Sequence, residues 1–85
     1  MTEKQGIYYR RCIDLGTISA AAEELFVSRS VISRMISELE AEFETKLVDR
    51  KKQGVFPTAA GTMLYNTIGQ MQELKSKLKE DIKKL

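Results

Sequence analysis

The sequence predicts a mainly α-helical domain: three short helices, a small β-hairpin and one long helix that closes the chain. Three observations predict it. Two helix-capping signals stand nine residues apart, apolar residues recur at steps of three and four, and a threonine opens a final stretch that runs to the end without proline. Ile7 to Leu15 carries Tyr9, Cys12 and Ile13 at helical spacing, and Gly16 stops that helix. Ser19 is expected to cap the second helix, where Ala20, Ala21, Ala22, Glu23, Glu24 and Leu25 are strong helix formers with acids near the positive end. Ser28 repeats the capping signal, so Phe26 and Val27 are the turn between two helices. In the third helix Ile32, Ile36, Leu39 and Phe43 form one apolar stripe facing the first two.

After Phe43 the pattern changes. Leu47 to Arg50 and Val55 to Pro57 read as short strands around Lys51, Lys52, Gln53 and Gly54, a hairpin with a basic tip. Thr58 caps the last helix, whose predicted 28 residues to Leu85 span about 42 Å. That rod outgrows any core beneath it.

Composition narrows the function. Eighty-five residues make one small domain with room for one core. No apolar run is long enough for a membrane span or signal peptide, so no membrane partner and a cytoplasmic location are expected. With one cysteine and no histidine, neither a disulfide framework nor a zinc finger can be assembled and the commonest general base is missing. Neither an enzyme nor a cofactor or metal site is expected. A net charge of +2 announces no partner, so the distribution of charge carries the argument. Glu38, Glu40, Glu42 and Glu44 crowd one stretch, with Arg29 and Arg34 before it and Arg50, Lys51 and Lys52 after it.

A helix-turn-helix needs a small residue at the crossing of its helices, apolar residues locking the turn, and a second helix with a free outer face. Ala22, Leu25, Val27, Ile32 and Ile36 meet the first two needs, and Arg29, Ser30, Ser33, Arg34 and Ser37 form the free face. Arginine forks onto guanine O6 and N7, serine hydrogen-bonds either base edge, and the backbone N–H groups of a helix N-terminus favour phosphate. As a merely solvated face the set is odd, because serine is a mediocre helix former where Glu or Lys would serve better.

From Tyr9 to Tyr65 the chain resembles the N-terminal winged helix-turn-helix domain of LysR-type transcriptional regulators. The resemblance rests on Tyr9, Cys12, Gly16-Thr17-Ile18, Ala21-Ala22, Leu25, Val27-Ser28, Ser33-Arg34, Leu39-Glu40, Leu47, Arg50 and Thr58-Ala59-Ala60-Gly61. It implies a winged helix-turn-helix over residues 1–57 and a linker or dimerisation helix over 58–85. It further implies a homodimer on double-stranded DNA, of higher order in a full-length form, associated with the bacterial nucleoid and acting in transcription. By the same resemblance Ser28, Arg29, Ser30, Ser33, Arg34 and Ser37 meet the major groove, and Arg50, Lys51, Lys52 and Gln53 meet the minor groove or backbone. Two positions depart from the family pattern. Arg29 stands where glutamine is usual, so adenine reading cannot be carried over. Glu44 stands where glycine usually ends the third helix, at a cost of roughly 1 kcal/mol if that residue must be left-handed.

In that family a sensory domain follows the long helix, and this chain stops where the helix would end. No effector-binding domain and no small-molecule effector site are therefore expected. Leu64, Ile68, Met71, Lys75, Leu78, Ile82 and Leu85 form a heptad seam with one polar interruption, predicted to pair with a second copy. Lys75 either sets the register of that seam or snorkels out past Leu74. Cys12 reads as a small core hydrophobe and the methionines as gap fillers. The alternative function is a short interaction module that heterodimerises through its last helix with a full-length regulator and inhibits it.

Overall fold

The computed structural model describes all residues from Met1 to Leu85. Its order is α1 (Glu3–Leu15), α2 (Ile18–Leu25), α3 (Arg29–Glu42), β1 (Val48–Lys51), β2 (Gly54–Pro57) and α4 (Ala59–Lys83). The strands form one antiparallel pair in the register Val48 to Pro57 through Lys51 to Gly54. Lys51 and Gly54 are thus paired ends, which leaves Lys52 and Gln53 as the tip.

α1 begins four residues earlier than its apolar spacing predicts. Thr2 and Gln5 form a reciprocal capping box, with Gln5 N–H donating to Thr2 Oγ1 at 3.1 Å and Thr2 N–H to Gln5 Oε1 at 2.8 Å. α2 is capped by Thr17, whose hydroxyl accepts from Ala20 N–H at 3.0 Å, and not by Ser19, which lies exposed in the first turn. This corrects the expected electrostatics too. In so short a helix Glu23 and Glu24 fall at the C-terminal end, where the helix dipole disfavours them. Glu24 is held instead by two hydrogen bonds from Arg11, which lower its pKa, while the Arg11 value rises in response.

Tyr9, Cys12, Ala21, Ile32, Ile36 and Leu39 are wholly buried where α1, α2 and α3 meet. Burial pushes the Cys12 thiol up, partly opposed by the charge of Arg50, as a core residue's would be. Phe43 is not the end of the α3 stripe: it is the C-cap and 44% exposed, while Met35 fills the inner face in its place. After it Glu44 is left-handed with φ 53°, so the glycine-like conformation persists with a glutamate in it.

Leu39-Glu40 and Thr58-Ala59-Ala60-Gly61 have local physical causes here. Glu40 Oε2 accepts from the backbone N–H of Leu47 at 2.8 Å, tying the end of α3 to the start of the hairpin. Thr58 Oγ1 donates to Lys46 O at 2.7 Å and accepts from Gly61 N–H at 3.0 Å, capping α4 while anchoring it to the same strand entry. Gly61 has to lack a side chain. A Cβ would fall 2.1 Å from Leu47 O and 2.3 Å from the Tyr9 hydroxyl, which itself donates to Leu47 O at 2.7 Å. The hairpin is pinned from the other side, where Val55 N–H donates to Gly16 O at 2.8 Å and a Cβ on Gly54 would lie 2.1 Å from that oxygen.

α4 has 25 residues and no helix is long and apolar enough to cross a membrane. Leu64 and Ile68 are 8% and 3% exposed in the core of their own domain, which removes them from the predicted intermolecular seam. Met71, Leu74, Leu78, Ile82 and Leu85 are exposed. The ammonium of Lys75 pairs with Glu3 of α1, and both side chains stay about half exposed.

Candidate nucleic-acid interface

Ser28 starts α3 by accepting from Val31 N–H at 3.3 Å, and its hydroxyl also lies 3.0 Å from that of Ser30. From there the helix sorts its side chains by angle. Ile32, Met35, Ile36 and Leu39 point into the core, whereas Arg29, Ser30, Ser33, Arg34 and Ser37 fall within about 140° of the opposite circumference at 100° per residue. Arg29, Ser30, Arg34 and Ser37 are exposed and Ser33 is half-buried. Arg34 has only a loose neighbour in Glu38, with Nε 3.8 Å from Oε1 and both side chains more than half exposed, so its guanidinium can be recruited elsewhere at small cost.

The acids of α3 lie toward its other end and are partly occupied. Glu40 holds Leu47, and Glu42 pairs with the amino group of Met1. The helix therefore presents arginines, serines and its positive dipole end together, with glutamates a turn or more away. Such an end suits a polyanion.

Arg50, Lys51, Lys52 and Gln53 are all exposed on the hairpin. Lys51 Nζ lies 5.4 Å from the centroid of the Phe56 ring, an exposed cation–π contact that restrains its long side chain. Ser37 and Arg50 line one open depression, together with Asp49 and Lys46, so the outer face of α3 continues into the base of the hairpin. The predicted DNA-facing residues are thus exposed except for the half-buried Ser33, and Ser37 and Arg50 bridge the two groups.

One neighbour of this face is far more exposed than its sequence indicates. Phe26, the left-handed C-cap of α2 with φ 56°, is 95% exposed two residues before the Ser28 cap. Its turn position was legible, but full exposure of an aromatic ring has no signal in apolar spacing. Thr17 was missed as a cap for the opposite reason, since Ser19 offers the same chemistry two residues later.

Residues 7–62 match the family described as bacterial regulatory helix-turn-helix protein, lysR family. The chain belongs to that family. It is the helix-turn-helix domain of a LysR-type regulator. It is 38% identical over 58 residues to the nitrogen assimilation regulatory protein nac of Klebsiella aerogenes, covering 68% of this chain and 19% of that protein. It is 42% identical over 66 residues to a putative transcriptional regulator of Pseudomonas aeruginosa, covering 76% and 22%. The chain thus spans about a fifth of the length of these curated relatives. Among solved structures, the protein chain of a CbnR_DBD-DNA complex superposes with a TM-score of 0.89 at 29% identity, covering 98% of this chain and 95% of that one. The LysR-type reading of Leu39-Glu40 and Thr58-Ala59-Ala60-Gly61 therefore stands, and with it the winged fold.

Proposed function

We propose that this LysR-type domain reads double-stranded DNA as a homodimer and acts in transcription in the bacterial cytoplasm, at the nucleoid. The observation that carries the reading is the outer face of α3, where Arg29, Ser30, Ser33 and Arg34 cluster at the N-terminal end while Ile32, Ile36 and Leu39 hold the helix from behind. Arginine and serine on this face select base edges in the major groove, and the basic hairpin supplies charge to the backbone or minor groove. That a related domain occurs in a CbnR_DBD-DNA complex supports the same assignment.

In functional terms residues 1–57 form the reading head and 58–85 the linker that joins two heads. The pairing surface is the exposed stripe of Met71, Leu74, Leu78, Ile82 and Leu85, with Leu64 and Ile68 reassigned to the head's own core. Half-sites one turn apart, about 34 Å, then require a roughly palindromic operator.

Selection of bound sequences from a random DNA pool, followed by salt titration of the selected duplex, tests the reading. Arg34→Ala is expected to weaken binding by about 1 to 3 kcal/mol, and Lys51→Ala with Lys52→Ala to flatten the slope of log affinity against log salt. Unchanged affinity removes Arg34 from the site, and an identical slope takes the hairpin off the duplex. No shift of any duplex by the homodimer, together with mixed dimers formed with a full-length regulator, would replace this function by that of an inhibitory partner.

A further inference from the structure

Arg10 stands where α1 crosses α4, away from the DNA-facing residues. Its guanidinium carbon lies 4.2 Å from the centroid of the Tyr65 ring, and Nη1 donates to Gln72 Oε1 at 2.8 Å. Gly69 makes room between them, because a Cβ there would come to 2.9 Å from Nη1. Tyr65, Gly69 and Gln72 follow one another at steps of four and three, so one side chain straddles two turns of the same helix face. Its Nε is shielded from solvent without a hydrogen-bond partner. A methionine would fill the groove with no unpaired donor, so stability alone does not account for an arginine here.

The contacts around it are directional. The Tyr65 hydroxyl donates to Asp14 of α1, so the ring is held at its face by Arg10 and at its tip by Asp14. Asp14 also pairs with Arg11 at 3.3 Å, and Arg11 Nε with Glu24 of α2 at 2.7 Å. A polar chain therefore runs from the first helix of the helix-turn-helix across α1 to the rod. Exposed ion pairs of this kind contribute little energy, but hydrogen bonds specify angles, which the apolar contacts of Leu64 and Ile68 do not.

We infer that Arg10 is a positioning residue: by clasping Tyr65, Gly69 and Gln72 it sets the angle at which α4 leaves the head, and so the half-site spacing that two joined heads accept. The inference rests on the homodimeric DNA reading. Its leverage is large. The helix beyond Gln72, tied back only by the exposed Lys75–Glu3 pair, is about 16 Å long, so a pivot of about 20° displaces its end by about 6 Å, close to two base pairs of duplex.

The test uses duplexes carrying the selected half-site as an inverted repeat whose spacer grows one base pair at a time, and a duplex with a single half-site. Wild type is expected to peak at one spacing. Arg10→Met is expected to lose about tenfold at that spacing and to flatten the profile, since two linked contacts cooperate only when geometry lets both engage. Its affinity for the single half-site should match wild type. Gly69→Ala, which displaces the guanidinium without removing it, should flatten the profile in the same way, and Arg10→Lys should lie between. Spacer profiles of Arg10→Met and Gly69→Ala that superimpose on a peaked wild-type profile overturn the inference and leave the DNA reading intact. A wild type that shifts no duplex overturns the DNA reading and this inference with it.

Discussion

The two halves of α4 are equally helical and are held by different means. From Ala59 to Gln72 the helix is fastened to the head by the Thr58 cap, the close approach at Gly61, burial of Leu64 and Ile68, and the Arg10 clasp. From Glu73 to Lys83 it touches its own domain only through the Lys75 pair with Glu3 and carries Leu74, Leu78 and Ile82 into solvent. Eleven residues alone make a marginal helix in water. Helical periodicity therefore continues across a boundary at which the source of stability changes, and the apolar positions beyond it are not covered by their own domain.

That contrast can be broken at single residues. Ile68→Ala is expected to destabilise the domain by about 2 to 5 kcal/mol, because it opens a cavity in the core. Leu78→Ala should change the unfolding of dilute protein by less than about 0.5 kcal/mol, yet weaken self-association measured by sedimentation. Equal losses from the two substitutions in dilute protein would show that both halves share one core. A smaller effect sharpens the distinction from the head side. Glu44→Gly should raise stability by about 1 kcal/mol by relieving the left-handed glutamate, without altering the concentration dependence of melting; a lower melting temperature would mean that Glu44 makes a compensating contact.

The smallest effect concerns the one tie that reaches the outer half. The hydrogen bond from Lys75, followed by its charge, lowers the Glu3 pKa. The folded value then lies below the unfolded one, so the contribution is present above the usual glutamate range and lost as pH falls through the folded value. Glu3→Gln should therefore shrink the acid-side loss of melting temperature below about pH 4.5, leaving the loss due to Glu24 and Arg11. An unchanged acid limb would show that the pair does not hold in solution.

Much of the reading head was legible because its signals are local. Ser28 at the cap, Ala22 at the crossing, and the angular separation of Ile32, Ile36 and Leu39 from Arg29, Ser33 and Arg34 follow from helix geometry within eighteen residues. The Thr2–Gln5 capping box is local as well, but it lies ahead of Ile7, where the apolar periodicity begins. Phe43 and Phe26 were misjudged or missed because burial depends on what stands opposite, which no spacing reports.

Residue order alone was enough to specify three short helices, a hairpin, a long helix and a polar outer face on the third, since caps, glycines and periodicity act over a few residues. Only tertiary structure decided which part of the long helix its own domain covers and which part it leaves exposed. Leu64, Ile68, Met71, Leu78 and Ile82 read as one stripe in the sequence, yet the first two are buried in the core of their own domain, where α4 packs against α1, and the rest are not. The physical reason is that a helix repeats its faces indefinitely, whereas the core that can cover them has a finite extent, set here by where α1 ends its contact at Glu3 and Lys75.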